Sequence, residues 1–138
     1  MDFAETEEQA MIRDMVRDFA ESELAPTCLE RDRNQKAPLD EWKLFCEQTG
    51  LQGITIAEEY GGSPVDDVSE AIIVEELARV DPSFSVMFCV HVGLCSKTIA
   101  LHGNEGQKQK YLSRLAQNEI GAYSLSEAGA GTDAAALG

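Results

Sequence analysis

The chain has 138 residues, 43% of them hydrophobic and 26% charged, a composition that fits one soluble globular domain with a real core and argues against disordered, collagen-like and membrane proteins. Its 11 basic and 25 acidic side chains leave a formal net charge of −14, a field that repels phosphate backbones and anionic headgroups and argues against nucleic-acid binding. Cys28, Cys46, Cys89 and Cys95 show no C-x-x-C spacing, and His91 and His102 supply no zinc pattern beside them, so no metal site is expected.

The amino terminus, Met1-Asp2-Phe3-Ala4-Glu5, carries acid where a signal peptide would be basic, and free thiols fit a bacterial cytoplasm or another reducing compartment. Thr6 followed by Gln9 predicts a capping box and a helix from about Glu7, with Ile12, Met15, Val16, Phe19 and Ala20 at three- and four-residue steps. This helix stops before Pro26. From Thr27 to Ala37 the composition is polar, predicting a helix end and an exposed loop. Pro38 opens a second helix containing Leu39, Trp42, Phe45 and Cys46, with Gly50 as its stop. Ile54 and Ile56 then read as an extended piece before Tyr60-Gly61-Gly62-Ser63-Pro64 breaks regular structure.

A third helix is predicted from about Val68 to Arg79, carrying Ala71, Ile72, Glu75, Leu77 and Ala78, with the acids among them for the solvent face. Asp81-Pro82 punctuates it. The fourth, about Ser83 to Leu101, is apolar on nearly every side, the pattern of a central helix more buried than the others. Its apolar run approaches bilayer length, but Ser85, His91, Ser96, Lys97 and Thr98 interrupt it, and no membrane insertion is expected. Gly103 ends it, and Asn104 with Gln107 caps a fifth helix carrying Tyr111, Leu112 and Leu115.

After Asn118 the pattern changes. Tyr123 and Leu125 alternate with small residues across Ile120 to Ser126, which predicts a strand. The following Glu127-Ala128-Gly129-Ala130-Gly131-Thr132-Asp133 is a loop of small residues whose backbone can approach a ligand closely. Gly129-x-Gly131-x-x-Ala134 matches a loose dinucleotide fingerprint, but the acidic residue about twenty positions onward is lacking and five preceding helices suit that fold poorly. No Gly-Lys-Ser or Gly-Lys-Thr marks a phosphate loop. On spacing alone, a tight exposed turn and a cofactor loop both stand.

Tyr123-Ser124-Leu125-Ser126-Glu127-Ala128-Gly129-Ala130-Gly131-Thr132-Asp133 resembles the signature of the acyl-CoA dehydrogenases, as do His102-Gly103-Asn104-Glu105-Gly106-Gln107-Lys108-Gln109-Lys110-Tyr111-Leu112 and Glu58-Glu59-Tyr60-Gly61-Gly62 upstream. The resemblance covers essentially the whole chain. It implies a mainly α fold: an up-down, bundle-like amino-terminal helical domain over 1–119, then the first strand and loop of a middle β domain over 120–138. It also implies that the chain is part of a longer enzyme, inactive without the missing domains.

The chemistry so implied is FAD-dependent α,β-dehydrogenation of an acyl-CoA to the 2-enoyl-CoA, with a carboxylate taking the α proton as flavin N5 receives the β hydride. Tyr123, Leu125 and Ser126 would line the flavin, Thr132 would contact FAD and substrate, and Val90 and Leu94 would face the acyl chain with His91 nearby. From the residues alone, a core role for Val90 and Leu94 and a packed, hydrogen-bonded His91 are the competing reading. No catalytic residue falls in this chain, because the family's base lies in its carboxy-terminal domain; Glu127 is expected to orient neighbours. Ser126, Ala128 and Thr132 stand where Thr, Pro and Ser are common in the family. The implied partners are the acyl-CoA, an electron-transfer flavoprotein and further copies of the enzyme. The rival expectation is a non-enzymatic helical interaction module derived from this family.

Overall fold

A computed structural model describes residues 4–136, in which seven α-helices pack around two apolar clusters. The capping box forms: Gln9 N donates to Thr6 Oγ1 at 3.2 Å and Thr6 N to Gln9 Oε1 at 3.0 Å. Helix α1 accordingly spans Glu7–Phe19. It buries Ile12, Val16 and Phe19, while Met15, expected on the same face, is 41% exposed. A π-helical turn, Ala20–Leu24, continues it and brings Ala20 and Leu24 into the core.

The polar stretch after Pro26 departs from expectation, because Cys28–Arg33 forms a short helix, α2. A polar segment can still be anchored if its charge is buried and paired. Arg31 does this, its guanidinium donating to Thr27 and Glu41 and to Asp81 at the far end of the next long helix. Helix α3, Leu39–Thr49, starts at Pro38 and stops at Gly50 as predicted. Trp42, Phe45 and Cys46 are buried, and Leu39 on the first turn is exposed.

Ile54 and Ile56 are fully buried, but not in an extended piece. Two 3-10 turns, Leu51–Gly53 and Glu58–Tyr60, flank them, and the chain doubles back so that Ser63 N donates to Gly53 O and Val65 N to Ile54 O, each at 3.1 Å. The fold-back brings Gly62 so close that a Cβ there would lie 2.0 Å from Ile56 O. Only glycine tolerates such an approach, which gives the second glycine of Tyr60-Gly61-Gly62 its structural reason.

Helix α4, Asp67–Val80, is capped by Asp66, whose carboxylate accepts from Val68 N and Ser69 N. Its buried face is Ser69, Ile72, Ile73, Glu76 and Leu77, with Ala71, Glu75 and Ala78 outside. Glu76, an acid expected to face solvent, is drawn inward: it accepts from Arg13 at 2.6 Å, from Arg17 at 2.9 Å and from Arg79 at 3.2 Å. Those guanidiniums hold its carboxyl down at about 2, the Arg17 hydrogen bond being the largest cause.

Asp81 caps the next element through Ser83 N and Phe84 N. Helix α5, Pro82–Cys89, a π-helical segment, Val90–Ser96, and helix α6, Lys97–His102, form one continuous helix. It is long and apolar enough to cross a membrane, with mean hydropathy 1.6 over its most apolar stretch. Of that stretch 33% is buried, and Val86, Leu94 and Leu101 lie on the surface. The continuous helix packs on α4, on the Leu51–Gly53 turn and, toward its end, on the helix Glu105–Leu115, while Val86, Leu94 and Leu101 form an exposed apolar side.

Aromatic packing dominates the larger cluster. Phe45 lies edge-on to Phe19, Phe84 and Phe88 at centroid distances of 5.2, 5.5 and 5.6 Å, pairs worth about 0.5–1.5 kcal/mol each beyond their buried area. The smaller cluster joins Ile56 and Tyr60 to Leu112, Leu115 and Ala116 of helix α7, Glu105–Leu115, and the turn after it. The Asn104–Gln107 capping box of α7 forms as predicted, and Tyr111 is exposed. The count of helices exceeds the five expected because α2 was read as loop and the π segment divides the fourth helix into α5 and α6.

Residues 120–126 form no strand. A strand needs a ladder partner, and among the described residues this segment has none. The paired backbone that follows is a single antiparallel bridge between Glu127 and Ala130.

Candidate functional site

The four residues expected to contact flavin stand on the chain after it leaves the helical body. Tyr123 and Leu125 are 41% and 44% exposed, and Ser126 and Thr132 are exposed as well. The loop after them closes through Glu127 N to Ala130 O at 2.9 Å and Ala130 N to Glu127 O at 3.2 Å. Glu127 thus shapes the turn through its backbone, with its carboxylate in solvent. At Gly129 and Gly131 the backbone faces open space. An aromatic ring, an aliphatic side chain, two exposed hydroxyls and an unobstructed backbone are a donor set suited to a flat, heteroatom-rimmed ring such as flavin.

Val90 and Leu94, expected to face an acyl chain, lie four residues apart on the π-helical segment. Leu94 is 47% exposed and Val90 is half-buried, so neither is a core residue. The wider turn of a π segment places residues four apart nearly in line, a geometry that recurs at functional sites. Its carbonyls are not left unpaired: Thr55 Oγ1 donates to Val92 O at 2.9 Å and Ser96 Oγ to His91 O at 2.8 Å.

His91 points the other way and is fully buried. Its Nδ1 accepts from Gly121 N at 2.9 Å, so the proton is on Nε2, which donates to Gln52 O at 3.0 Å. Burial pushes its pKa below the ordinary histidine value, with the Gln52 carbonyl opposing, and the imidazole is neutral. The competing sequence reading, a packed and hydrogen-bonded histidine, describes it; it does not line the Val90–Leu94 surface. What sequence reasoning missed is the other end of these bonds. Gln52 and Gly121 carry no motif that marks them.

The residues expected to face an acyl chain and those expected to face flavin meet through Gly121. His91 follows Val90, Cys95 follows Leu94, and both touch Gly121, two residues before Tyr123. The helical body matches the protein-family model described as acyl-CoA dehydrogenase, N-terminal domain, over residues 6–119. The chain belongs to the acyl-CoA dehydrogenase family. It is 46% identical to the short-chain specific acyl-CoA dehydrogenase of Clostridium acetobutylicum over 99% of this chain and 36% of that protein. It matches a chain in the solved structure of the electron transferring flavoprotein of Acidaminococcus fermentans with TM-score 0.90 and 44% identity, over 99% of this chain and 36% of that one. An acyl-CoA dehydrogenase from Bacillus anthracis solved with FAD matches with TM-score 0.82 and 37% identity, over 96% of this chain and 23% of that one. The chain therefore spans about a third of the length of the curated relatives it matches, and the helical architecture is that of the family's amino-terminal domain.

Proposed function

We propose that this chain is the amino-terminal helical part, residues 1–119, and the first flavin-contacting segment, residues 120–138, of an FAD-dependent enzyme that dehydrogenates a fatty acyl-CoA between its α and β carbons. The single observation that carries this reading is the run Tyr123–Asp133, exposed at every residue but Ala130, its hydroxyl-bearing residues included. FAD, when bound, accepts the hydride. Tyr123 and Leu125 offer the ring an apolar wall, while the hydroxyls of Ser126 and Thr132 donate to its heteroatoms, Thr132 also reaching the thioester. Fixed donors near developing negative charge are commonly a large part of catalysis. Val90 and Leu94 offer an acyl chain a surface without charge. The similarity to a short-chain specific relative supports the substrate class.

The same proposal includes an electron-transfer flavoprotein as electron acceptor, homo-oligomerisation and a reducing compartment. The first is supported by the match to the Acidaminococcus structure and the last by four cysteines that are all unpaired. A second reading, a non-enzymatic helical module that binds another protein, is favoured by one observation: the open side of Pro82–His102 with Val86, Leu94 and Leu101. Intact mass and flavin absorbance of the protein purified from its source decide between them. Bound FAD that bleaches on adding an acyl-CoA supports the enzyme. A flavin-free protein of 138 residues that leaves acyl-CoA unchanged overturns it and favours the module.

A further inference from the structure

We infer that His91 is a positioning residue: with Gln52, Trp42 and Cys95 it clamps the point where the chain leaves the helical body, and so sets the flavin-facing segment relative to the acyl-facing turn. This rests on the proposed roles of Tyr123, Leu125, Ser126, Val90 and Leu94.

Four side chains hold consecutive stretches of one backbone. Gln52 Nε2 donates to Ala116 O at 2.7 Å and to Gln117 O at 2.8 Å, two carbonyls that only the NH2 end of the amide can satisfy. Trp42 Nε1 donates to Asn118 O at 3.0 Å. His91 Nδ1 takes the Gly121 N–H at 2.9 Å, and the Cys95 side chain packs directly against Gly121. The clamp is tied together internally, since His91 Nε2 donates to Gln52 O and the Trp42 ring stands edge-on to the imidazole at 4.8 Å and 64°. Each bond to the exit segment from Gln52, Trp42 and His91 spans 30 to 76 residues of sequence, so none is a product of local helix formation.

Gly121 has no slack in this arrangement. A Cβ there would lie 2.6 Å from Cys95 Sγ and 2.7 Å from Cys95 Cβ, and 3.4 Å from His91 Nδ1. The contrast with the next residues is sharp, for Tyr123 to Glu127 are exposed and have no ladder. An imidazole buried with both nitrogens committed to backbone does something a leucine of similar bulk cannot: it fixes an amide in place. Buried polar groups that are satisfied specify one arrangement, and here both imidazole nitrogens and the Gln52 NH2 group are paired while Gln52 Oε1 accepts no bond. Because His91 and Cys95 are the sequence neighbours of Val90 and Leu94, a shift of Gly121 alters the spacing between the two halves of the site.

The test uses the intact protein with His91→Leu, which removes the acceptor, His91→Asn, which keeps one, and Gly121→Ala, which pushes the same segment away from Cys95 while leaving His91 intact. Hydrogen–deuterium exchange compares residues 116–122 with α4, and FAD affinity is read by fluorescence titration. His91→Leu is expected to speed exchange of 116–122 about tenfold with α4 unchanged and to weaken FAD binding about tenfold; His91→Asn recovers part of both. If His91→Leu does not fold, Gly121→Ala decides, with the same loss of FAD expected. Parallel loss of protection in α4, unchanged exchange in 116–122, or FAD binding by Gly121→Ala equal to the parent overturns the inference. A parent protein that takes up no FAD defeats the flavin reading alone, and selective release of 116–122 in His91→Leu still supports the clamp.

Discussion

Residues 7–116 and residues 119–136 of one chain are held in opposite ways. In the first, side chains from elements distant in sequence bury one another: Phe45 touches three phenylalanine rings, and Glu76 gathers three arginines from two helices. In the second, little beyond Gly121 and Ala130 is buried, and the backbone is pinned at Gly121 by His91, just past the Ala116–Asn118 carbonyls that Gln52 and Trp42 hold. The difference separates stability from function. Where side chains look inward they make the fold; where they look outward they are free to meet a ligand.

That contrast can be broken most directly in the aromatic core. Phe45→Ala is expected to cost about 3–5 kcal/mol in urea unfolding, since it deletes a fully buried ring. A cost near zero would mean the core is not where the structure puts it. Glu76→Gln comes next, at about 3 kcal/mol near neutral pH, because it strips the charge partner from three guanidiniums. Its pH dependence has a definite sign. The folded carboxyl is depressed from 4.5 to about 2, so its stabilisation is complete above 4.5 and is lost as pH falls toward 2. Unfolding curves of parent and variant are therefore expected to differ most at neutral pH and to converge in that acid window; a constant difference down to pH 2 contradicts the assignment.

Asp66→Ala removes the cap that α4 receives at Val68 N and Ser69 N and is expected to lower the melting temperature by an amount equivalent to about 1 kcal/mol. The smallest effect on stability belongs to the exit segment. Leu125→Ala, at a half-exposed position with no core contact, is expected to change unfolding by less than about 0.5 kcal/mol, yet to weaken FAD binding in the intact protein. Unfolding as large as that of Phe45→Ala would erase the distinction between the two regions.

Much of the body was legible in sequence because its signals are local. Thr6 with Gln9 and Asn104 with Gln107 became capping boxes, and Pro38 and Gly50 bracket α3. Where reading failed, the cause lay at long range. Helix α2 exists because Arg31 reaches Asp81, fifty positions away. Ile54 and Ile56 sit in folded-back turns because Gly62 lies against Ile56. Glu76, an acid expected to face solvent, is instead buried because arginines from α1 and α4 gather around it. Of the candidate site, Tyr123, Leu125, Ser126 and Thr132 were named through motif resemblance, and the strand expected over 120–126 does not form, since among the described residues that segment has no pairing partner.

By itself the sequence determined the class of fold, the helix starts and stops and the family, since each depends on residues within a few positions of one another or on a contiguous motif. Only the tertiary structure decided which side of the Pro82–His102 helix is covered, which tautomer His91 adopts, and where the chain after Asn118 is held. Those are set by atoms brought together across 30 to 76 residues, and nothing in the spacing of side chains along a chain encodes which distant carbonyl or amide will arrive beside them.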